Sequence, residues 1–270
     1  MPITSGSWPV KTVLITGGTK GIGLACGLAF AKLGAVCVLT NKWGSANESE
    51  IYAEFARTGA PRPLIVEADV AVPEQTLTLM DNLHSRFDEI DVFICNVALA
   101  QNVAGLTDYQ RRGFLKSIEY SAWPLIDYTL AIGDKFGKYP RYVIGVSSLG
   151  PDHFLPNYDF AAASKACLET LAKYLHARLC GDDVRVNILR TGMVLTDSLL
   201  ASFGSASIKN MQESIPDLFL PAEDIAKAAV GLCSGWMDAV GGQIITVDKG
   251  SSFNLASAVV NRSQNNKERT

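Results

Sequence analysis

Histidine is scarce in this chain. The three residues, His84, His153 and His176, lie far apart with no metal-ligand spacing among them, so no metal centre is expected. Charge of one sign is also missing: 24 Lys and Arg stand against 27 Asp and Glu, a net charge of −3. That balance excludes a basic field recruiting nucleic acid or an anionic membrane. The six cysteines, Cys26, Cys37, Cys95, Cys167, Cys180 and Cys233, form no CxxC pair. Most fall among apolar residues, as small buried thiols of a reducing cytosol do. Met1–Lys11 has no charged start leading into an apolar run, so no signal peptide is expected. The apolar stretch Thr12–Thr40 is broken by six glycines and does not read as a membrane span. A cytoplasmic protein is expected. There is no internal repeat, low-complexity tract or linker.

What is present is alternation. Apolar strand runs are predicted at Thr12–Thr16, Val36–Thr40, Leu64–Ala68, Val92–Cys95, Tyr142–Ser147, Val184–Leu189 and Gln243–Val247. Helical periodicity follows most of them, at Ile22–Leu33, Glu48–Thr58, Glu74–Phe87, Tyr109–Phe136, Ala161–Leu179 and Ala222–Cys233. Such a pattern predicts an α/β fold: one doubly wound, Rossmann-like domain of about seven parallel strands with helices on both faces. It is expected to fill residues 1–260. Leu195–Leu220 looks irregular and follows a strand's C-terminal end, where open α/β sheets bind ligands, so a mobile substrate lid is expected there. The polar tail at 261–270 is expected to be flexible.

Thr16-Gly17-Gly-Thr19-Lys20-Gly21-Ile22-Gly23 joins the first strand to the first helix. Glycines let the backbone approach a pyrophosphate, and the helix N-terminus offers free N–H groups. Dinucleotide binding is predicted, with Gly17, Thr19, Lys20, Gly21, Ile22 and Gly23 as candidate contacts. NAD sites usually carry Asp or Glu at the end of the second strand, for the ribose 2′-OH. Here that strand ends Leu39-Thr40-Asn41-Lys42. The missing carboxylate, Lys20, Lys42 and the donor capacity of Asn41 favour a 2′-phosphate and hence NADP(H). The alternative is that Lys20 and Lys42 are solvated surface lysines.

Further along, Lys165 sits in an Ala-Ser-Lys-Ala run, and the nearest upstream tyrosine is Tyr158, seven residues earlier. Around them stand Ser147-Ser148-Leu-Gly150 and Pro156-Asn-Tyr158. With Thr16–Gly23, Asp69-Val70, Asn96 with Ala98, and Thr191-Gly192 through Thr196, these residues resemble the short-chain dehydrogenase/reductase superfamily over essentially the whole chain. The resemblance implies that Asp69 and Val70 hold the adenine and that Asn96 lies under its ribose. It implies that Lys165 bonds the nicotinamide ribose and lowers the tyrosine pKa. Gly192, Val194 and Thr196 would bind the carboxamide. Assembly as a homotetramer or dimer through the fourth and fifth helices is also implied.

An ordinary member carries its tyrosine four residues before the lysine; here that residue is Ala161. The Tyr158-x6-Lys165-Ala-x-Leu-Glu169 pattern is most similar to the compact enoyl-acyl-carrier-protein reductases of the superfamily. Ser148, ten residues before Tyr158, matches that compact type. The chain departs from the family pattern at Cys95, Val97, Ser117 and Thr191.

The shift suits the chemistry. In a ketone, the carbon accepting hydride bears the oxygen that needs a proton. In an enone or enoyl thioester, hydride goes to the β-carbon and the enolate oxygen lies two carbons on. Moving the tyrosine from 161 to 158 shifts it about one turn, of order 5 Å if the helix reaches that far. The expected catalytic residues are therefore Tyr158 as enolate donor, Lys165 as fixed cation, and Ser148, which either donates a second hydrogen bond or caps its strand. Tyr158 has the alternative of packing on the lid as a loop aromatic. His153 and Asp159 read as solvated neighbours. The expected reaction is NADPH-dependent reduction of a conjugated C=C in a small enoyl or enone substrate, with or without an acyl carrier protein. A carbonyl reductase, or a dinucleotide-binding scaffold without redox activity, are the alternatives.

Overall fold

The computed structural model describes residues 10–99 and 101–253. The expected tail at 261–270, and most of the segment read for a signal peptide, lie outside them. Strands β1 (Thr12–Ile15), β2 (Val36–Asn41), β3 (Leu64–Glu67), β4 (Val92–Cys95), β5 (Tyr142–Ser148), β6 (Arg185–Thr191) and β9 (Ile244–Val247) form one parallel sheet. Its order is β3-β2-β1-β4-β5-β6-β9. Successive residues of each strand point to opposite faces, and both faces are apolar. Val13 and Ile15 face a core shared with Phe30 of α1 (Gly21–Ala31) and Ala229 of α9 (Ala222–Leu232). Leu14 faces the other core, with Leu79 of α3 (Pro73–His84), Tyr128 of α5 (Pro124–Phe136) and Leu168 of α6 (Asp159–Leu179). α2 (Glu48–Arg57) adds Ile51 and Phe55 to the first core. The doubly wound parallel sheet is as the sequence predicts.

Two expectations are corrected. The single helix predicted over Tyr109–Phe136 is two, α4 (Arg111–Ser121) and α5. Pro124 has no N–H to continue α4 and suits the first turn of α5. Ala122 breaks from helical geometry at φ −123° and ψ −50°. The segment Leu195–Leu220, read as irregular, is mostly helical: α7 (Asp197–Phe203) and α8 (Ser205–Ser214). It is framed by a separate two-stranded ladder, in which β7 (Met193–Val194) pairs with β8 (Phe219–Leu220). Its own small core joins Met193, Ile208 and Leu218, which the short, interrupted apolar pattern concealed.

The sheet order reverses between β1 and β4, so their C-terminal ends open a crevice. Candidate site residues follow β1, β4, β5 and β6 on that edge. No described helix is long and apolar enough to cross a membrane.

Candidate active site

The crevice is built first from the loop after β1. The Asn96 side-chain amide donates to the carbonyls of Thr16 and Gly17, each at 3.1 Å, and its backbone N–H reaches Thr16 Oγ1 at 3.0 Å. Asn96 thereby fixes the glycine loop to β4. A Cβ on Gly23 would collide with the Gly17 carbonyl and lie 2.8 Å from Asn96 Nδ2, so that position needs glycine. Thr19 is buried and Ile22 partly so. α1 starts with no side-chain cap, which leaves its first N–H groups for an anion. The loop thus fits a dinucleotide pyrophosphate.

The adenosine end differs from the sequence expectation. Lys20 pairs with Asp197 of α7 at 3.0 Å, and Lys42 with Asp69 at 2.5 Å. Both lysines predicted to stand free for a phosphate are ion-paired, because carboxylates from distant segments fold against them. Tyr120 on α4 joins the second pair: its hydroxyl accepts from Lys42 at 2.5 Å and donates to Asp69 Oδ2 at 3.0 Å. Burial works against both charges, yet these bonds raise the Lys42 ammonium above its ordinary pKa and lower the Asp69 carboxyl. Beside them Asn41 Oδ1 is buried without a donor. A ribose hydroxyl or an adenine amine is the kind of group it lacks. Val70 is buried next to Asp69, while Ala98 is exposed.

At the other end, Tyr158 caps the start of α6 and Lys165 lies buried farther along it. Ala161, where an ordinary family tyrosine would stand, is buried in the same helix. Tyr158 is half-buried between two neighbours. A Cβ on Gly150 would sit 2.9 Å from its ring carbons, and Phe203 of α7 stacks on it with centroids 5.9 Å apart. Burial raises the phenol pKa, and a hydrogen bond with the Ser148 hydroxyl opposes the rise. Ser148 also accepts from Gly150 N–H at 3.4 Å. Lys165, expected to bond the nicotinamide ribose and lower the phenol pKa, donates here to Val146 O at 2.7 Å. Lys165 is itself pushed down to about 8 by burial, against the pull of the Glu169 carboxylate. Burial holds the Cys95 thiol neutral, at about 12.

The loop after β6 closes the crevice. Gly192 packs on Asp248 and Leu220, and Val194 pairs with Leu220. Thr196 caps α7, accepting from Leu199 N–H at 3.2 Å, and its methyl lies against Gly21. Asn102 donates to Ala201 O at 3.3 Å.

Sequence reasoning missed one cluster. Glu169 accepts from Ser147 Oγ at 2.7 Å, Arg190 Nε at 2.9 Å and Arg190 Nη2 at 2.6 Å. Arg190 also pairs with Asp152 in the loop leading to Tyr158. The signal was an arginine inside the apolar strand Val-Asn-Ile-Leu-Arg190, which demands a buried partner. Tyr120 and Phe203 gave no such signal. His153 is exposed, with Nδ1 3.3 Å from Leu149 O. Asp159 accepts from Tyr109 at 2.6 Å, and buried Ser117 bonds Gly113 O on its own helix.

Known proteins resemble this chain in sequence and fold. A family model described as enoyl-(acyl carrier protein) reductase matches residues 17–252. The enoyl-(acyl-carrier-protein) reductase (NADH) of Aquifex aeolicus is 26% identical over 89% of this chain and 90% of its own. A 3alpha-hydroxysteroid dehydrogenase of Mediterraneibacter gnavus is 28% identical over 88% of this chain and 95% of its own. A solved 7 alpha-hydroxysteroid dehydrogenase, complexed with NADH and 7-oxo glycochenodeoxycholic acid, superposes with a TM-score of 0.78. It is 24% identical and covers 89% of this chain and 93% of that one. The chain belongs to the short-chain dehydrogenase/reductase oxidoreductases, within the enoyl-(acyl carrier protein) reductase family.

Proposed function

We propose that the protein reduces a conjugated C=C, in an enoyl thioester or an enone, with NADPH as donor. The observation that carries the reading is the placement of Tyr158 at the cap of α6, seven residues before buried Lys165, with Ala161 in the ordinary tyrosine position. When bound, the reduced nicotinamide is the source of hydride for the β-carbon. Gly17, Gly21, Gly23 and the start of α1 hold the pyrophosphate. Asp69, Val70 and Asn96 line the adenosine end, Lys20, Asn41 and Lys42 lie along its phosphate side, and Gly192, Val194 and Thr196 meet the carboxamide. Tyr158 hydrogen-bonds the oxygen that gains enolate charge, a contact that strengthens in the transition state. Ser148 holds the phenol. Lys165 keeps a positive charge under the site below pH 8. The lid over 195–220 excludes water through Phe203.

In sequence the strand end Asn41-Lys42 has no carboxylate of its own, which favours the phosphorylated dinucleotide; the pairing of Lys42 with Asp69 works against it. The free cysteines, four of them buried, accord with a reducing cytoplasm. Leu115, Trp123 and Leu130, exposed on α4 and α5 or between them, favour assembly with further copies. An acyl carrier protein is a fitting donor of substrate for this family.

The test is NADPH oxidation with a 2-enoyl and a 3-oxoacyl thioester of equal chain length. Turnover of the enoyl compound alone is expected. Tyr158→Phe should lose about a hundredfold or more in kcat, the cost of one oxyanion donor, while dinucleotide affinity holds. Full turnover by Tyr158→Phe overturns the assignment. Turnover of the 3-oxo compound alone supports a carbonyl reductase, the second reading, which the Ser148–Tyr158 hydrogen bond also accommodates.

A further inference from the structure

We propose that Asp69 and Tyr120 form a clamp that withholds Lys42 from the 2′-phosphate, so that the clamp sets the preference between the two dinucleotides. The inference rests on the dinucleotide reading above and goes further, to the residues that decide selectivity.

The geometry gathers Asp69, Tyr120 and Trp43 around one partly exposed ammonium. Lys42 Nζ lies 2.5 Å from Asp69 Oδ2 and 2.5 Å from the Tyr120 hydroxyl. Tyr120 donates in turn to the same carboxylate oxygen at 3.0 Å. The ammonium also sits 3.8 Å over the Trp43 ring and 4.4 Å from the Tyr120 ring. Asp69 is held from behind, since its Oδ1 accepts from Ala71 N–H at 3.1 Å and its own N–H is bound by Gln75 at 2.7 Å. The carboxylate is therefore a fixed anion and the lysine its mobile partner.

The Lys42–Asp69 pair has no net charge. A 2′-phosphate brings up to two negative charges toward it. The phosphate attracts Lys42 but is repelled by Asp69 a few ångströms behind, and the two effects largely cancel. A ribose with a free 2′-OH meets no such repulsion, and its hydroxyl can donate to the buried, unpartnered Asn41 Oδ1. A phosphate dianion has no proton to offer that oxygen. The strand end that lacks a carboxylate in sequence thus receives one in space, from Asp69.

The experiment is direct titration of NADPH and NADH into the full chain, with 2′,5′-ADP and 5′-AMP as probes of the adenosine end alone. For the wild type the affinities for NADPH and NADH should lie within about tenfold of each other. Asp69→Asn should raise the NADPH-to-NADH ratio by about tenfold, the effect of removing one charge at this range. Any contact Asp69 makes to adenine affects both ligands and cancels in the ratio. Tyr120→Phe should move the ratio the same way by less. Lys42→Met should bring it to one or below, and Lys42→Met with Asp69→Asn should return it toward the wild-type value, since that pair of changes again leaves no net charge beside the 2′-phosphate. A thermal melt of each variant checks that it folds. A ratio unchanged in both Asp69→Asn and Tyr120→Phe overturns the clamp, as does a double variant whose ratio stays as low as that of Lys42→Met. The titrations need no acyl substrate, so they stand whether or not the enoyl assay succeeds. Absence of any dinucleotide binding in the wild type overturns both readings together.

Discussion

Replacing Glu169 by glutamine isolates the strongest electrostatic element beneath the site. The glutamate side chain is 7% exposed and that of Arg190 11%. The change keeps the shape and removes the charge, so Arg190 stays in the core with its bidentate partner neutralised. Breaking a buried pair in this way costs about 3–5 kcal/mol. Arg190 keeps a second carboxylate, Asp152, whose side chain is 58% exposed. That contact is screened by water, which places the expected loss near the lower end, about 3 kcal/mol. For a chain of this size that corresponds to a fall in Tm of roughly 6–12 °C. Guanidinium melts of wild type, Glu169→Gln, Arg190→Met and the double variant give the coupling directly. The double variant should be more stable than Glu169→Gln, because the orphaned guanidinium has gone. A loss under about 1 kcal/mol for Glu169→Gln, with no coupling to Arg190, would refute the reasoning. The same variant has a second readout. Glu169 raises the Lys165 pKa against burial, so its neutralisation should shift the alkaline limb of the kcat profile to lower pH.

Lys165 itself gives a pH prediction. Its folded pKa, about 8, lies below the ordinary lysine value of 10.5. Between these values the unfolded chain binds the extra proton, so this residue's contribution to stability rises from pH 8 to 10.5 and is lost as pH falls through 8. Urea melts across that window should show the rise in wild type and not in Lys165→Met. At pH 7, Lys165→Met should be more stable by about 2 kcal/mol: about 3 from the missing desolvation penalty, less about 1 for the bond to Val146. It should also be catalytically dead; equal or lower stability would show that burial costs this lysine little. Gly23→Ala forces a methyl into the Gly17 carbonyl and toward Asn96. Dinucleotide affinity should fall at least about tenfold, as when a ligand loop loses its geometry, and an unchanged Kd in titration would contradict the close packing.

The parallel sheet was legible because its strands are buried on both faces and read as short apolar runs between turns. The glycine loop and the Tyr158 to Lys165 spacing were legible because each lies in one stretch of chain. What could not be read lies across segments. Lys42, Asp69 and Tyr120 come from β2, the loop after β3 and α4, and no local pattern announces that they meet. Arg190 was visible as a charge in an apolar strand, but its partners sit on α6 and in the loop after β5. The break at Pro124 was masked because apolar periodicity continues on both sides of it. In the 195–220 segment, the two helices are short and bury few residues, so their pattern was too weak to register.

The contacts that press α7 onto the crevice bear on how fast the enzyme can cycle. Among them are an exposed ion pair from Lys20 to Asp197, one ring stack between Tyr158 and Phe203, and one amide bond from Asn102 to Ala201. Each is worth about 1 kcal/mol or less in water, and they share one rigid element, so together these three hold it down by about 2 kcal/mol. Against these three alone, roughly one molecule in thirty would be open at any moment. Segments of this kind exchange in microseconds to milliseconds, while a typical enzyme turns over about ten times a second. An element held this lightly would open many times within one catalytic cycle, screening the reaction from water without setting its pace.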